Sequence, residues 1–434
     1  MVRWPIVRQR VLVVSASMGA GHDGAARELT RRLRDRGHTV EVVDFLHALP
    51  AHLGPGLRRF YRFQIRYMPN SYERTYKLWF RAPWMWKPFV LFEHLLAGRR
   101  VRAWVQDFRP DVVVSVYPFS SLVLGELRRR GRIGVPVVTF LTDFAVHPRW
   151  IHPSVDLHLT IHPQVAADAV ERSHGAALAP GPLVGPAFTD HLPSRSAARR
   201  ALGIPEEARV VLVVAGSWAV GNVEETVETI SAAGRYLPVT LCGSDTALQR
   251  RLQVRGLGVA VGWTDQVPAY VASADVLVEN AGGLSFLEAC ASRLPVITYD
   301  PIAGHGRDNA RAMERAGVAY VPTSATDLLV ALDELSTPGP ARDVLVDRAL
   351  AMFRGDASEE VVRIGAAHRR LLEDAETVRQ VASWPAPVTR PPRRNAAARA
   401  RRQASKAGAL GMGSVGIWLV LASLAVLSLI DAPW

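Results

Sequence analysis

What most constrains this chain is a local pattern that occurs twice. The apolar, mostly β-branched run Val11–Ala16 leads straight into a glycine-rich turn that ends at Gly24. A helical stretch over 23–36 follows, and then a second strand, Thr39–Val43, that stops at Asp44. Short continuous apolar runs separated by helices are what strands buried on both faces require. Parallel neighbours also need a crossover of a dozen or more residues, which the helices supply. Asp111–Val116 and Val135–Leu141 continue the rhythm. It restarts at Arg209–Ala215 with a turn holding Gly216 and Gly221 and a helix from Val223. Strands near 237–242, 258–262, 275–279 and 295–299 complete the second set. The pattern predicts an α/β protein with two Rossmann-like domains in tandem, joined near the Pro180–Pro186 stretch.

The 434 residues, 49% hydrophobic and 21% charged, are too apolar for a disordered chain. Two cysteines, Cys242 and Cys290, leave no disulfide framework and no cysteine-based zinc site. The net charge of +12 is concentrated rather than spread. Residues 390–406 carry seven basic side chains and no acid, and residues 57–104 carry eleven against Glu73 and Glu93. Such blocks suit an anionic membrane surface better than a nucleic acid, so no nucleic-acid partner is expected. Residues 407–430 are 24 in a row without a charge. A span needs about 20, so a single-pass C-terminal anchor in the cell membrane is expected, with the basic flank and the folded domains cytoplasmic. A buried core helix is the alternative. The first apolar run is too short for a signal peptide.

Three segments carry chemistry. In the first, Gly19-Ala20-Gly21-His22-Asp23-Gly24, glycines let the backbone approach a ligand and the helix N-terminus favours negative charge. Gly19, Gly21 and Gly24 also fit a dinucleotide fingerprint, with Asp44 placed as a ribose-binding acid. A plain packing turn is the bland reading. His22 adds an imidazole that can take a proton near neutral pH. The second segment, Glu279-Asn280-Ala281-Gly282-Gly283 followed by Glu288, can receive a diphosphate on its turn amides and ribose hydroxyls on Glu288. A solvated helix acid explains Glu288 equally well. The third, Asp300-Pro301-Ile302-Ala303-Gly304-His305-Gly306-Arg307-Asp308-Asn309, clusters polar residues after a strand, where open α/β sheets bind ligands.

Taken with Pro110–Ser115, Thr142-Asp143-Phe144-Ala145-Val146-His147 and the Gly185-Pro186 junction, these segments resemble one family over residues 10–320. It is the monogalactosyldiacylglycerol synthase and diacylglycerol glucosyltransferase group, related to the peptidoglycan lipid GlcNAc transferase. The resemblance implies the GT-B fold, with two domains facing a cleft. It also implies inverting transfer of a sugar from a UDP-sugar to a hydroxyl of a membrane lipid. His22 matches the histidine of the family's Gly-x-Gly-His loop, the base; Asp143 and His147 fall in a motif facing the acceptor. Gly21, Gly216, Gly221, Gly282, Gly283, Glu288, His305 and Asn309 are the implied nucleotide-sugar set. Where the family reads Pro-Gly-Gln-Glu before a later Asn, this chain has Ala303-Gly304-His305-Gly306 and keeps Asn309. Its glycine loop is thinned and contains Trp218. The donor sugar therefore stays open.

Thirteen aromatics lie in 57–104, among them Tyr61, Tyr67, Tyr72, Tyr76, Trp79, Trp84, Trp86 and Trp104, interleaved with Arg58, Arg59, Arg62, Arg66, Arg81 and Lys87. The mixture predicts a membrane-facing segment, with nucleic-acid binding or an ordinary aromatic core as alternatives. No Asp-x-Asp occurs, and His147, His152, His158 and His162 lack metal-site spacing, so no metal or other cofactor is expected. These histidines are expected on the surface or in the cleft. The expected organisation is an acceptor domain over 1–190, a nucleotide-sugar domain over 191–375, a basic linker over 376–406 and the anchor at 407–430. The rival functions are an NAD(P)-dependent oxidoreductase, a GT-B scaffold without transfer activity and, more remotely, a GT-B epimerase.

Overall fold

The structure is a computed structural model that describes residues 8–81 and 86–382. Its first half contains β1 (Arg10–Ser15), α1 (Ala20–Asp35), β2 (Thr39–Asp44), α2 (Leu53–Tyr67), α3 (Pro69–Arg81) and α4 (Trp86–Phe108). It continues with β3 (Val112–Ser115), α5 (Pro118–Arg129), β4 (Val137–Phe140), β5 (Leu157–Leu159), α6 (Pro163–Ser173) and β6 (Ala177–Leu178). The second half contains α7 (Arg195–Leu202), β7 (Val210–Val214), α8 (Val223–Ala232), β8 (Leu237–Leu241), α9 (Thr246–Val254), β9 (Val259–Val261) and α10 (Val267–Ser273). Then come β10 (Val276–Glu279), α11 (Leu284–Ala291), β11 (Val296–Thr298), α12 (His305–Ala316), α13 (Ala325–Leu335), α14 (Pro340–Leu350) and α15 (Ala357–Ala382).

Two all-parallel sheets result, ordered β2-β1-β3-β4-β5-β6 and β11-β10-β7-β8-β9. The strands are apolar on both faces because helices cover both. Val11 to Val14, Val112 to Val114 and Val210 to Leu212 have no exposed surface. In each sheet the chain order reverses beside the first strand, β1 or β7. Loops at the carboxyl ends of strands flanking such a point are where open α/β sheets hold ligands. The first two segments emerge there, after β1 and β10, and the third follows β11 beside them at the sheet edge.

Residues up to Ala366 form one compact unit containing both sheets. After the second sheet the chain returns to the first. Gln9 Nε2 donates to Val362 O at 2.9 Å, and Asp356 pairs with Arg32 at 3.3 Å and Arg36 at 2.8 Å. At Gly365 a Cβ would stand 2.5 Å from Gln9 Oε1, so α15 packs closely on the Gln9 side chain. The same helix runs on to Ala382, so the first residues of the expected linker are helical. Among the described residues no helix is long and apolar enough to cross a membrane. The uncharged stretch 407–430, its basic flank 390–406 and Trp84 lie outside the described residues.

Two sequence expectations change. His158 sits on β5 with no exposed surface, and His152 is 4% exposed beside Glu126. Both belong to the core of the first half rather than to a surface or a cleft, and burial pushes each imidazole down to about 4. The strand β6 completes the first sheet as a two-residue edge, too short to read from periodicity.

A buried cation holds the second half together. Arg199 is wholly buried; its Nε donates to Ser273 O at 2.9 Å and its Nη2 to Asp275 Oδ2 at 3.1 Å, while Nη1 bonds Glu206 O. Asp275 also accepts the Val210 amide at 2.7 Å, which fixes the entry to β7. Removing one partner of a buried pair leaves the other charge unsolvated. Arg199→Leu should therefore lower unfolding free energy by about 3–5 kcal/mol in urea denaturation.

Candidate functional site

The first half builds its share of the site from three strand ends. After β1, the turn delivers His22 on the first turn of α1, partly exposed. After β3 comes Tyr117, whose ring meets the His22 ring edge-on at 5.3 Å. After β4 come Thr142 and Asp143, with Trp150 close behind. Thr142 Oγ1 lies 3.4 Å from His22 Nδ1, and the Trp150 ring centroid lies 5.7 Å from the imidazole. Trp150 Nε1 donates to Asp143 Oδ2 at 2.9 Å, which orients that carboxylate. Burial pulls the His22 pKa below its ordinary 6.5, while Asp143 and Asp23 oppose the fall and His305 adds to it. A neutral imidazole beside two acids is poised to accept a proton and to be stabilised once charged. Ser15 Oγ holds Asp23 at 3.0 Å.

His147, placed with Asp143 by the sequence, is buried. Its ring lies 4.4 Å from that of Tyr76, and its Nδ1 accepts the Arg149 amide at 3.1 Å to cap the short Pro148–Trp150 turn. Asp44 is spent locally as well. Its carboxylate accepts Leu46 N at 2.8 Å and Ser17 N at 3.4 Å, capping the turn Phe45–Ala48. A ribose at Asp44 would have to displace those bonds.

The second half contributes the ends of β7, β10 and β11. Gly282 has φ +69°, and a Cβ there would meet Met313 Cε at 2.8 Å and Asn309 Cβ at 3.1 Å. Only glycine fits. Gly221, at φ +100°, is likewise hemmed in by Asn280 Nδ2 at 2.6 Å. Gly216 has φ +65° and open space around it. Glu279, which the sequence reading passed over, organises the Gly-Gly turn. Its carboxylate accepts Ala281 N at 2.8 Å, Gly282 N at 2.6 Å and the Thr298 hydroxyl. Those two amides are therefore engaged, and the amides left for an anion begin at Gly283, where α11 opens with no intrahelical acceptors. A carboxylate two and three residues before a glycine turn is a readable signal, since its oxygens reach those amides. Glu288 follows one turn into α11; burial raises its carboxyl to about 8, against the pull of Arg27.

The two halves meet at this site. Asn309 is fully buried; its Oδ1 accepts Ala145 N at 2.9 Å and its Nδ2 donates to Ala281 O at 3.1 Å. Phe144 packs edge-on against Phe286 at 5.4 Å. Gly24 of α1 lies so near Leu284 that a Cβ would stand 2.5 Å from Cδ2. His305 is hydrogen-bonded at Nδ1 to Tyr72 OH, at 3.0 Å, on α3 of the first half. Much of the aromatic segment is thus turned inward. Tyr61, Tyr72 and Tyr76 pack against protein, and Arg66 pairs with Asp245 at 2.6 Å. Phe60, Phe63 and Tyr67 remain exposed, spaced three and four apart on α2 beside exposed Arg59 and Arg62.

With this geometry in view, the comparisons with known proteins are direct. The monogalactosyldiacylglycerol (MGDG) synthase family pattern matches residues 22–176. A processive diacylglycerol beta-glucosyltransferase of Bacillus subtilis is 25% identical over 351 residues, 75% of this chain and 87% of that protein. This chain has the GT-B fold and is similar to the monogalactosyldiacylglycerol synthase and diacylglycerol glucosyltransferase group. The fold is shared with MurG of Acinetobacter baumannii, at a TM-score of 0.50 and 14% identity, over 83% of this chain and 99% of that one. It is shared too with UGT71G1 of Medicago truncatula, solved with UDP-glucose, at a TM-score of 0.52 and 13% identity over 84% and 98% of the two chains.

The Glu279 clasp can be tested on this GT-B protein directly. Glu279→Leu leaves two turn amides and the Thr298 hydroxyl without their acceptor, each costing about 1–3 kcal/mol if buried unpaired. Urea denaturation should show a loss of at least about 2 kcal/mol, with Glu279→Gln recovering part of it.

Proposed function

We propose that this chain is an inverting glycosyltransferase that moves a sugar from a UDP-sugar to a hydroxyl of a membrane lipid, of the diacylglycerol type. The observation that carries the reading is the convergence, at one cleft, of a neutral imidazole from the first half and a nucleotide-type turn and helix from the second. The similarity to diacylglycerol glucosyltransferases supports the substrate class.

His22 is the base. Its Nδ1 lies 3.4 Å from Thr142 Oγ1 and the ring also bonds the Val116 backbone; the nitrogen not donating there takes the acceptor proton. As the acceptor oxygen bonds to the anomeric carbon, the bond from that carbon to the diphosphate oxygen breaks and UDP departs. Asp143 and Asp23 stabilise the imidazolium that forms, and Trp150 keeps Asp143 in position. The α11 N-terminus at Gly283 faces the departing diphosphate, and Gly216 and Gly221 shape the neighbouring loop. Glu288 takes the ribose hydroxyls. His305 and Asn309 border the donor sugar, Asn309 chiefly by holding the loops together. No metal or other cofactor is called for. Residues 1–190 serve the acceptor and 191–375 the donor. The exposed Phe60, Phe63 and Tyr67 stripe with its arginines, together with the tail at 407–430, keeps the cleft at the cytoplasmic face of the cell membrane.

The oxidoreductase reading loses its anchor because Asp44 is a cap. UDP and NADH titrated calorimetrically into the full chain separate the two. Saturable UDP binding, weakened at least about tenfold in Glu288→Ala, supports the transferase; NADH binding alone overturns it. Because Glu288 titrates near 8, its acceptor-rich ionised form grows with pH. UDP affinity should therefore rise between pH 7 and 9, and Glu288→Gln should remove the rise.

His22→Ala should lower kcat by about 10²–10⁴-fold while leaving UDP affinity within twofold. The acid limb of wild-type kcat/KM should lie below pH 6.5, since His22 is protonated only there. Equal losses of turnover and UDP affinity would remove His22 from the role of base.

A further inference from the structure

The donor-binding half departs from its family's pattern at two places, Trp218 within the glycine loop and His305-Gly306 in place of a Gln-Glu pair. Both departures are met by the same element of the other half. Trp218 faces Tyr61 at 6.1 Å, and the Arg62 guanidinium lies 5.6 Å from its ring. His305 meets the Tyr72 hydroxyl at 3.0 Å. The next residue, Glu73, accepts the Gly304 amide and pairs with Arg307 at 3.4 Å and Lys77 at 2.5 Å. Burial opposes ionisation of Glu73, but Lys77, the Gly304 amide and Arg307 together hold its carboxyl below the ordinary value. Gly304 itself has φ +69°, and a Cβ would stand 2.6 Å from Tyr72 Cε1, so the loop backbone packs directly against the Tyr72 ring. Tyr61 and Tyr72 join the two contacts, their rings 5.7 Å apart.

From this we infer that α2 and α3 form a latch across the cleft, and that Tyr72 is a positioning residue for recognition of the donor sugar. The inference rests on the proposed UDP-sugar reading. With Nδ1 of His305 taken by Tyr72, only Nε2 remains to meet a sugar hydroxyl, and Glu73 fixes the loop that carries it. The Gln-Glu pair of the family reaches the sugar from the donor half alone; here the sugar's recognition is completed by the acceptor half. Tyr72 touches only the His305 loop, whereas Tyr61 and Arg62 meet Trp218 in the glycine loop. Tyr72 therefore discriminates among sugars without contributing to affinity for UDP.

The test compares binding of UDP with binding of the intact donors UDP-glucose, UDP-galactose and UDP-N-acetylglucosamine by the full chain. Wild type, Tyr72→Phe, His305→Gln and the double variant are titrated calorimetrically. Wild type should bind one donor more tightly than UDP. Tyr72→Phe should weaken that donor about tenfold, as expected for loss of one hydrogen bond in an enclosed site, and leave UDP within twofold. In the His305→Gln background, Tyr72→Phe should add nothing, because the imidazole it positions is gone. Glu73→Gln should weaken the same donor in the same direction. Equal weakening of UDP and donor by Tyr72→Phe would make the contact a general support of domain closure and overturn the proposal. Additive losses in the double variant would overturn it too. Failure of the wild type to bind either UDP or any donor would overturn the transferase reading, and the latch with it. Intact UDP binding with an insensitive Tyr72 would overturn the latch alone.

Discussion

Asn309 is the side chain on which the site depends. Its amide is wholly buried and bonds Ala145 of the first half through the oxygen and Ala281 of the second through the nitrogen. An amide carries an acceptor and a donor on separate atoms, so it can accept and donate in this way at once. A carboxylate would lose the donor and a leucine both bonds, leaving the Ala145 amide and the Ala281 carbonyl buried and unpaired. Because Ala145 follows Asp143 and Ala281 precedes Gly282, this one bridge sets the His22 environment and the nucleotide-type turn in mutual register. It explains in physical terms why the asparagine is kept while the residues before it differ from the family.

Around that bridge opposing electrostatic effects meet. Burial disfavours the charged form of His22, while the nearby Asp143 and Asp23 favour it. Glu288 and Glu279 are carboxylates in neighbouring positions with opposite fates. Glu279 is enclosed and gives its oxygens to the turn. Glu288, with no such donor among the described residues, is pushed up by burial against the pull of Arg27.

The aromatic segment divides its residues between two tasks. Tyr61, Tyr72 and Tyr76 are drawn into protein contacts, whereas Phe60, Phe63 and Tyr67 stay outside with Arg59 and Arg62. Composition could not separate them, since both groups share residue types; helical phase does. A helix of period 3.6 puts positions three and four apart on one face, and α2 uses one face for the cleft and another for the surface.

The sequence by itself determined the two parallel sheets and the glycine turns at their carboxyl edges, and it singled out His22, Asp143, Gly282 and Glu288 at those edges. These follow from local rules: strand burial dictates continuous β-branched runs, and left-handed backbone dictates glycine. Tertiary structure alone decided the rest. It moved His152 and His158 into the core of the first half and brought Tyr72 to His305 across 233 residues of chain, while Asp44 caps a turn two residues on. The Tyr72–His305 pairing arises where the two folded halves close on each other. No periodicity or spacing within either half encodes it, because the energy that selects it is shared between surfaces far apart in sequence.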